Sequence, residues 1–341
     1  MMKAAHLVVI TLALTAVAPL VSDTPAAHAC LWDYDTYKEE SLGQADVAAV
    51  IGGNLGKHSQ RFYQAKVAYT QAILDRGDAT HATAERYDDV AVAHAKLGNL
   101  DAALATLDAK DKLFPGQYTT AANRGTFLHL KGDLVGALQW LNKALAINPH
   151  AHFGREKYQI MLAAYQQQLV NEPKLPTTTA FFPIDTGGQE GFAHSSLIYQ
   201  VSGHKARNKM RRRTLPHESV AAIVGIIRFG DGQEIPHLWW ALGWALIEQG
   251  DAQLAARAFR RAELLQHPRG ASDGSFAVTT HYGATVGCCT QASDPAQLAQ
   301  WARFSKRVDA EWAQGQAAQL KAQAREDAKI DKKQLRAAFG F

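Results

Sequence analysis

Cysteine is scarce, with three in 341 residues, at positions 30, 288 and 289. None forms a C-x-x-C pair, so nothing points to a thioredoxin-like redox site. Cys288 and Cys289 are adjacent and could pair only through a strained ring. A bond from Cys30 to either is geometrically easier and leaves one thiol over. The cysteines are therefore read as structural, with a disulfide permitted in an oxidising compartment. Long apolar runs are missing beyond residue 30, so no later segment has the roughly 20 apolar residues a membrane span takes. A dominant charge is missing too. Lys and Arg number 36 against 32 Asp and Glu, a formal net charge of +4 with a pI of about 8.8. That balance sets no expectation of nucleic acid. With 47% hydrophobic residues, the composition excludes global disorder.

Signatures of chemistry are also missing. Gly52-Gly53-Asn54-Leu55-Gly56-Lys57 looks like a phosphate loop, but Ile51 stands at the first glycine place and His58 where Ser or Thr would meet magnesium. His217-Glu218 is not H-E-x-x-H, because Ala221 occupies the second histidine place. There is no G-x-S-x-G, and Asp33-Tyr34-Asp35 lacks the glycine and later glutamate of a calcium loop. His150 and His152 could share a metal only from extended backbone, with a third ligand such as His129 or Glu156. No metal spacing supports that, so these histidines are read as turn-capping or core residues. No catalytic residue, metal or cofactor is expected.

The first thirty residues have a pattern of their own. Lys3 is followed by an apolar run from Leu7 to Val21, interrupted by Thr11, Thr15 and Pro19, and then by Ala27-His28-Ala29. A charged start, an apolar middle and an A-x-A ending predict a secretory signal peptide over 1–29, and hence a periplasmic or extracellular protein. The alternative is an uncleaved anchor, against which the short run and Pro19 argue. Cleavage after Ala29 would expose Cys30 to lipid attachment, although Ala27 stands where such signals carry Leu. Ordinary cleavage and a lipid anchor at Cys30 both stay open.

The strongest signal is self-similarity. Gly98 and Gly132 lie 34 residues apart, as do Ala103 and Ala137, Leu107 and Leu141, Leu113 and Ile147, and Pro115 and Pro149. Each unit reads as helix, glycine turn, helix, proline stop. The spacing predicts helices over 87–96, 101–114, 121–130 and 135–147. A third copy runs Trp239-x-x-Leu242-Gly243, then Leu246, Gly250, Asp251, Ala255, Phe259 and Ala262. Arg61 to Leu74 and Tyr158 to Gln168 predict flanking helices that cap the array, and Glu218 to Ile227 a helix leading into the third copy. Three prolines, three glycines and a Thr177-Thr178-Thr179 run break the pattern between. Leu298, Trp301, Phe304, Val308 and Trp312 form one apolar stripe on a long helix from Pro295, which is expected to project into solvent beyond Gly315.

These repeats resemble the tetratricopeptide superfamily, whose signature is W-x-x-L-G-x-x-Y … A-x-x-x-F at a 34-residue period. Three further stretches are similar to a group of exported bacterial tetratricopeptide proteins of unestablished function: Cys30 to Thr36, Asn148 to Gln159, and Ile226 to Gly230. The resemblance implies fold and export and carries no activity.

The expected architecture is all-α, a tetratricopeptide-type helical-hairpin solenoid with an irregular insertion and a long C-terminal helix. Its parts are a signal at 1–29, an extended segment at 30–60, an array at 61–166 with repeats near 84–117 and 118–151, and an insertion at 167–215. A helix and third repeat follow at 216–270, a loop with the cysteine pair at 271–294, and the C-terminal helix at 295–341. Stacked hairpins present an extended concave face, so the expected function is a non-catalytic scaffold holding a peptide or protein. First-helix residues are the binding candidates: Glu85, Asp88, Thr126, His129, His237, Trp240 and Trp244. Trp239, Trp240 and Trp244 cannot all point inward on one helix, so at least one is expected to reach the groove or the insertion. Insertion residues filling the groove are the competing reading. Some tetratricopeptide domains grip carboxylates with Lys and Asn on these helices. Asp88, Val92, Ala122 and Thr126 hold those places here, so that clamp is not expected.

Arg155 and Glu156 are read as stitching the array to the insertion. Lys205, Arg207, Lys209, Arg211, Arg212 and Arg213 form a cationic run, either a solvated loop or a contact for an anionic envelope surface. Two alternatives to the scaffold stand beside it: an envelope hydrolase or metal-dependent enzyme with its site in 167–215, and a structural component docked on anionic lipid or polymer.

Overall fold

A glycine at a helix end frees the backbone to enter the left-handed region, which a side chain resists. Gly98, Gly132 and Gly250 do so with φ of 80°, 83° and 85°. The next residue's N–H reaches back over the helix end in the same way each time: Asn99 to the His94 carbonyl, Asp133 to Leu128 and Asp251 to Leu246, all at 2.9 Å. Asp133 and Asp251 then cap the following helix, accepting from Gly136 N at 2.9 Å and Leu254 N at 3.0 Å. One residue thus closes a helix and opens the next.

These turns belong to a computed structural model that describes residues 31, 33, 47–77, 82–149, 154–171, 218–230, 232–265 and 295–331. The signal segment, Cys30, Cys288, Cys289, His150, His152, the cationic run at 205–213 and the insertion from residue 172 onward lie outside the described residues. Among those described, the fold is all-α. The helices are α1 (Val47–Ile51), α2 (Gln60–Leu74), α3 (Ala84–Lys96), α4 (Leu100–Leu113), α5 (Tyr118–Leu130), α6 (Leu134–Ile147) and α7 (Glu156–Asn171). After them come α8 (Ser219–Phe229), a 3-10 turn (Gly232–Glu234), α9 (Pro236–Glu248), α10 (Ala252–Leu264) and α11 (Pro295–Asp331).

Small residues let each hairpin close. Ala103, Ala137 and Ala255 are buried. A side chain at Gly125 would press on Leu141, and one at Gly243 on the Phe259 ring. Gly125 and Gly243 each stand seven residues before their turn glycine, and Leu141 and Phe259 nine after it, so both hairpins use the same contact. Helices α2 to α7 pack in chain order, each on the next. Leu31 joins the first hairpin's core beside Ala91, Ala103, Leu107 and Phe127. A larger core unites α1, α7, α8, α9 and α10 around Ile223, Trp239, Leu242 and Phe259.

The 37-residue α11 departs from expectation. Its front half is held on α10 by Arg260 with Asp309 and by Arg257 with Glu311, each 2.7 Å at closest. Beyond Gly315 it does not project freely. Gln319 accepts from Leu55 N at 2.9 Å, Gln323 donates to the carbonyls of Lys57 and His58 at 2.9 and 3.1 Å, and Asp327 accepts from Ser59 Oγ at 2.5 Å. These polar residues recur at helical spacing, so they fall on one face and reach one loop.

Candidate functional site

The polar residues on the first helices turn inward and find partners. Asp88 is buried, and its carboxylate accepts from Lys110 Nζ at 2.6 Å and Asn123 Nδ2 at 3.1 Å. Burial raises the Asp88 carboxyl pKa, and the Lys110 ammonium pulls against that. Thr126 accepts from Gln159 Nε2 at 3.0 Å, and His129 Nε2 lies 2.5 Å from Gln166 Oε1. Trp240 is 4% exposed and packs edge-on to Phe259, with ring centres 5.0 Å apart. Trp239 is buried too, its Nε1 donating to the Gln233 carbonyl at 2.8 Å.

Of the candidates for an open groove, Asp88, Thr126, His129 and Trp240 are therefore interior residues. Periodicity placed them on the right helices, but a helix pattern cannot tell a face turned to solvent from one turned to a neighbour. Glu85 is exposed at the start of α3, where its own backbone N–H and Thr83 hold its carboxyl below the ordinary range. His237 is partly buried, and desolvation lowers its pKa to about 4. The Trp244 side chain lies outside what is described. Arg155 and Glu156 are buried and stitch α7 to its neighbours: Glu156 accepts from Tyr118 Oη at 2.5 Å, and Arg155 packs on Gly225 and lies 5.4 Å over the Phe229 ring.

A concave site does exist, at a different place. The loop after α1 crosses the ends of α3 and α8, and between them lies a small cleft of about 30 Å³ that opens to solvent. Leu55, Tyr63, Val92 and Phe229 give it apolar walls, while Lys57, Lys96, Arg228 and His58 bring cations or potential cations. Lys96 Nζ donates to the Phe229 carbonyl at 2.9 Å, and Lys57 Nζ to Gln233 Oε1 at 2.8 Å. The Arg228 guanidinium lies 4.9 Å over the Phe229 ring. It also abuts Gly56, where an added side chain would come within 2.7 Å of Nη2 and where φ is 64°. The left-handed backbone there favours glycine, whereas the guanidinium, at the end of a flexible side chain, could shift. His58 stacks on Phe62 with centres 4.0 Å apart and sits 2.6 Å from Glu326 of α11. Asp33 borders the cleft, held by Lys66 Nζ at 3.0 Å, and Lys66 also meets Asp89 at 3.1 Å.

Lys57, Lys96 and Tyr63 did not stand out as site residues in the sequence. Gly56-Lys57 fails as a phosphate loop, and Lys96 ends a helix as many solvated lysines do. Asp33, Arg155, Arg228 and Phe229 do belong to the three stretches that carried the narrower resemblance. That Phe229 gathers Arg155, Arg228 and Lys96 is a tertiary fact. No family model matches the chain, and no curated protein matches it. Among the described residues, no group of three or more His, Cys, Asp or Glu is arranged to hold a metal, and no helix is long and apolar enough to cross a membrane.

Proposed function

We propose that the chain is a tetratricopeptide-type scaffold that acts outside the cytoplasm by holding a protein or peptide partner, without catalysis. The observation that carries the reading is the recurrence of one turn. Gly98, Gly132 and Gly250 share φ within a few degrees, the same reach-back bond, and a buried alanine five residues on. Gly98 and Gly132 keep the 34-residue period of that superfamily. Hairpins of this kind cannot bury their apolar faces alone, so they stack and leave long surfaces for partners. The N-terminal run and Ala27-His28-Ala29 support export, to the periplasm or to the envelope through Cys30.

Internal pairing of Asp88, Thr126 and His129 moves the contact surface away from the middle of the first helices. Glu85, exposed at the start of α3, is the candidate taken to test first, beside Trp244 and the partly buried His237. The test is cross-linked co-purification from envelope extracts with wild type and Glu85→Lys. One partner recovered at near-equal yield with wild type, and reduced with Glu85→Lys at unchanged helicity, is the expected result. Failure to recover any stoichiometric partner defeats the scaffold reading.

A further inference from the structure

Helix α11 sorts its charges by side. Its acids turn to the body: Asp309 meets Arg260 and Glu311 meets Arg257, each at 2.7 Å, while Glu326 lies 2.6 Å from His58 and Asp327 accepts from Ser59 Oγ at 2.5 Å. Its cations Arg303, Lys306, Arg307, Lys321, Arg325 and Lys329 are all exposed. Arg307 reaches Glu311 only at 3.9 Å, and the other five have no ion-pair partner among the described residues. At 3.6 residues per turn, Arg303 and Lys321 stand in line five turns apart, as do Arg307 and Arg325. Trp312 is nine residues from both Arg303 and Lys321, two and a half turns, and so faces the opposite way. It packs there on Trp239, with ring centres 5.5 Å apart. Arg303 with Arg307, Lys321 with Arg325 and Arg325 with Lys329 are each four residues apart, a spacing at which like charges repel. Helix stability alone therefore does not account for this row.

We propose that the outer face of α11 docks on an anionic lipid bilayer, whose phospholipid headgroups supply the missing counter-charge. From Arg303 to Lys329 the row runs about 39 Å at 1.5 Å per residue. It follows one side of one helix, so its long side chains can meet a plane together. Ala310, Gln314, Ala317, Ala324 and Ala328 fill the places between, and nothing bulky holds the ammonium and guanidinium groups off that plane. A protein interface is anchored by buried aromatic or other large side chains, and this face offers none. A bilayer needs no such anchor, because its headgroups are present at every register and its surface potential attracts each nearby Lys or Arg. The small residues also keep the helix on the surface, since a helix that sinks into the acyl boundary needs a bulky apolar face. This surface is separate from the one near Glu85, and the proposal stands or falls without a protein partner.

The test sediments the full mature chain with sucrose-loaded vesicles of equal parts phosphatidylglycerol and phosphatidylcholine, and with vesicles of phosphatidylcholine alone. Binding to the first and not to the second is expected, weakening as salt screens the charges. The triple variant Arg303→Gln, Lys321→Gln and Arg325→Gln should partition about a hundredfold more weakly, from about fivefold per cation. None of the three residues is in an ion pair among the described residues, so thermal unfolding of the variant should match wild type. Arg76→Gln, Lys112→Gln and Lys131→Gln together remove the same charge from exposed positions elsewhere, and should bind within about twofold of wild type. Lysine acetylation of the wild-type protein, read by mass spectrometry, locates the contact without any variant. The anionic vesicles should shield Lys306, Lys321 and Lys329 and leave Lys112 and Lys131 unchanged. The proposal is overturned by no binding to anionic vesicles, by equal binding to neutral ones, by a triple variant no weaker than its charge-matched control, or by shielding that misses α11. Release from the vesicles by poly-L-glutamate at equal charge also overturns it, in favour of an acidic polypeptide.

Discussion

Lys110 is fully buried, and its Nζ donates to Asp88 at 2.6 Å and to Thr119 Oγ1 at 2.7 Å. A buried pair of this kind contributes little against an apolar replacement of both partners, but breaking one side strands the other charge. Lys110→Met should therefore lower unfolding stability by about 3–5 kcal/mol. Adding Asp88→Asn to Lys110→Met should restore part of the loss, because no carboxylate is then left stranded. Urea unfolding of the two variants measures both, and a double variant as unstable as the single would contradict the account. His237 makes a separate claim about pH. Desolvation lowers its pKa from 6.5 to about 4 in the fold, with Tyr165 Oη 3.3 Å from Nδ1. Between those values the unfolded chain holds the extra proton, so stability is full above the unfolded value and falls as pH drops through the window. The loss by the lower end is on the order of 3 kcal/mol and should vanish in His237→Gln. Chemical denaturation of both proteins from neutral to acid pH reads the difference.

At the scale of elements, the hairpins were legible because their signals are local. A left-handed glycine, a cap and a small buried residue sit within a few positions of one another. Helix starts were read late, at Tyr87 and Ala121 against the observed Ala84 and Tyr118, because the first-turn residues Ala84 to Arg86 and Tyr118 to Thr120 carry no apolar periodicity. The burial of Asp88, Thr126 and His129 was not legible for another reason. Partners of Asp88, Thr126 and His129 lie 22, 33 and 37 residues away, so their burial is decided by other helices. The cleft has no local signal either, since its walls come from separate elements. Glycines separate backbone freedom from space. At Gly98 nothing lies within 4 Å of an added side chain, and φ is 80°. Gly98→Ala should thus cost only left-handed strain, about 1–2 kcal/mol. Gly243 has ordinary helical backbone, but its added atom would meet the Phe259 ring at 2.5 Å. Gly243→Ala should cost about 1–3 kcal/mol from overpacking. Restoring volume with Phe259→Leu should recover stability in Gly243→Ala and not in Gly98→Ala, as thermal unfolding would show.

At the scale of the molecule, α11 ties the last hairpin to the first helices. Thirty-seven residues give it a length of about 55 Å at 1.5 Å per residue. It is alanine-rich and polar beyond Gly315, a composition that reads equally as a solvated helix or as one docked through polar contacts. The structure decides for docking at one close approach. A side chain at Gly315 would collide with the Gly52 carbonyl and stand 2.9 Å from Asn54 N. Both obstacles are backbone and cannot rotate away. Gly315→Ala should therefore lift residues 316–331 off the loop, breaking the bonds of Gln319, Gln323 and Asp327 to Leu55, Lys57, His58 and Ser59. The front of α11 should stay in place, because Arg260 with Asp309 and Arg257 with Glu311 lie before the glycine. Hydrogen exchange is expected to speed up in 316–331 and in the 55–59 loop, while α10 keeps its protection. Unchanged exchange beyond Gly315 would mean that the polar contacts alone hold the helix down and that the glycine is incidental.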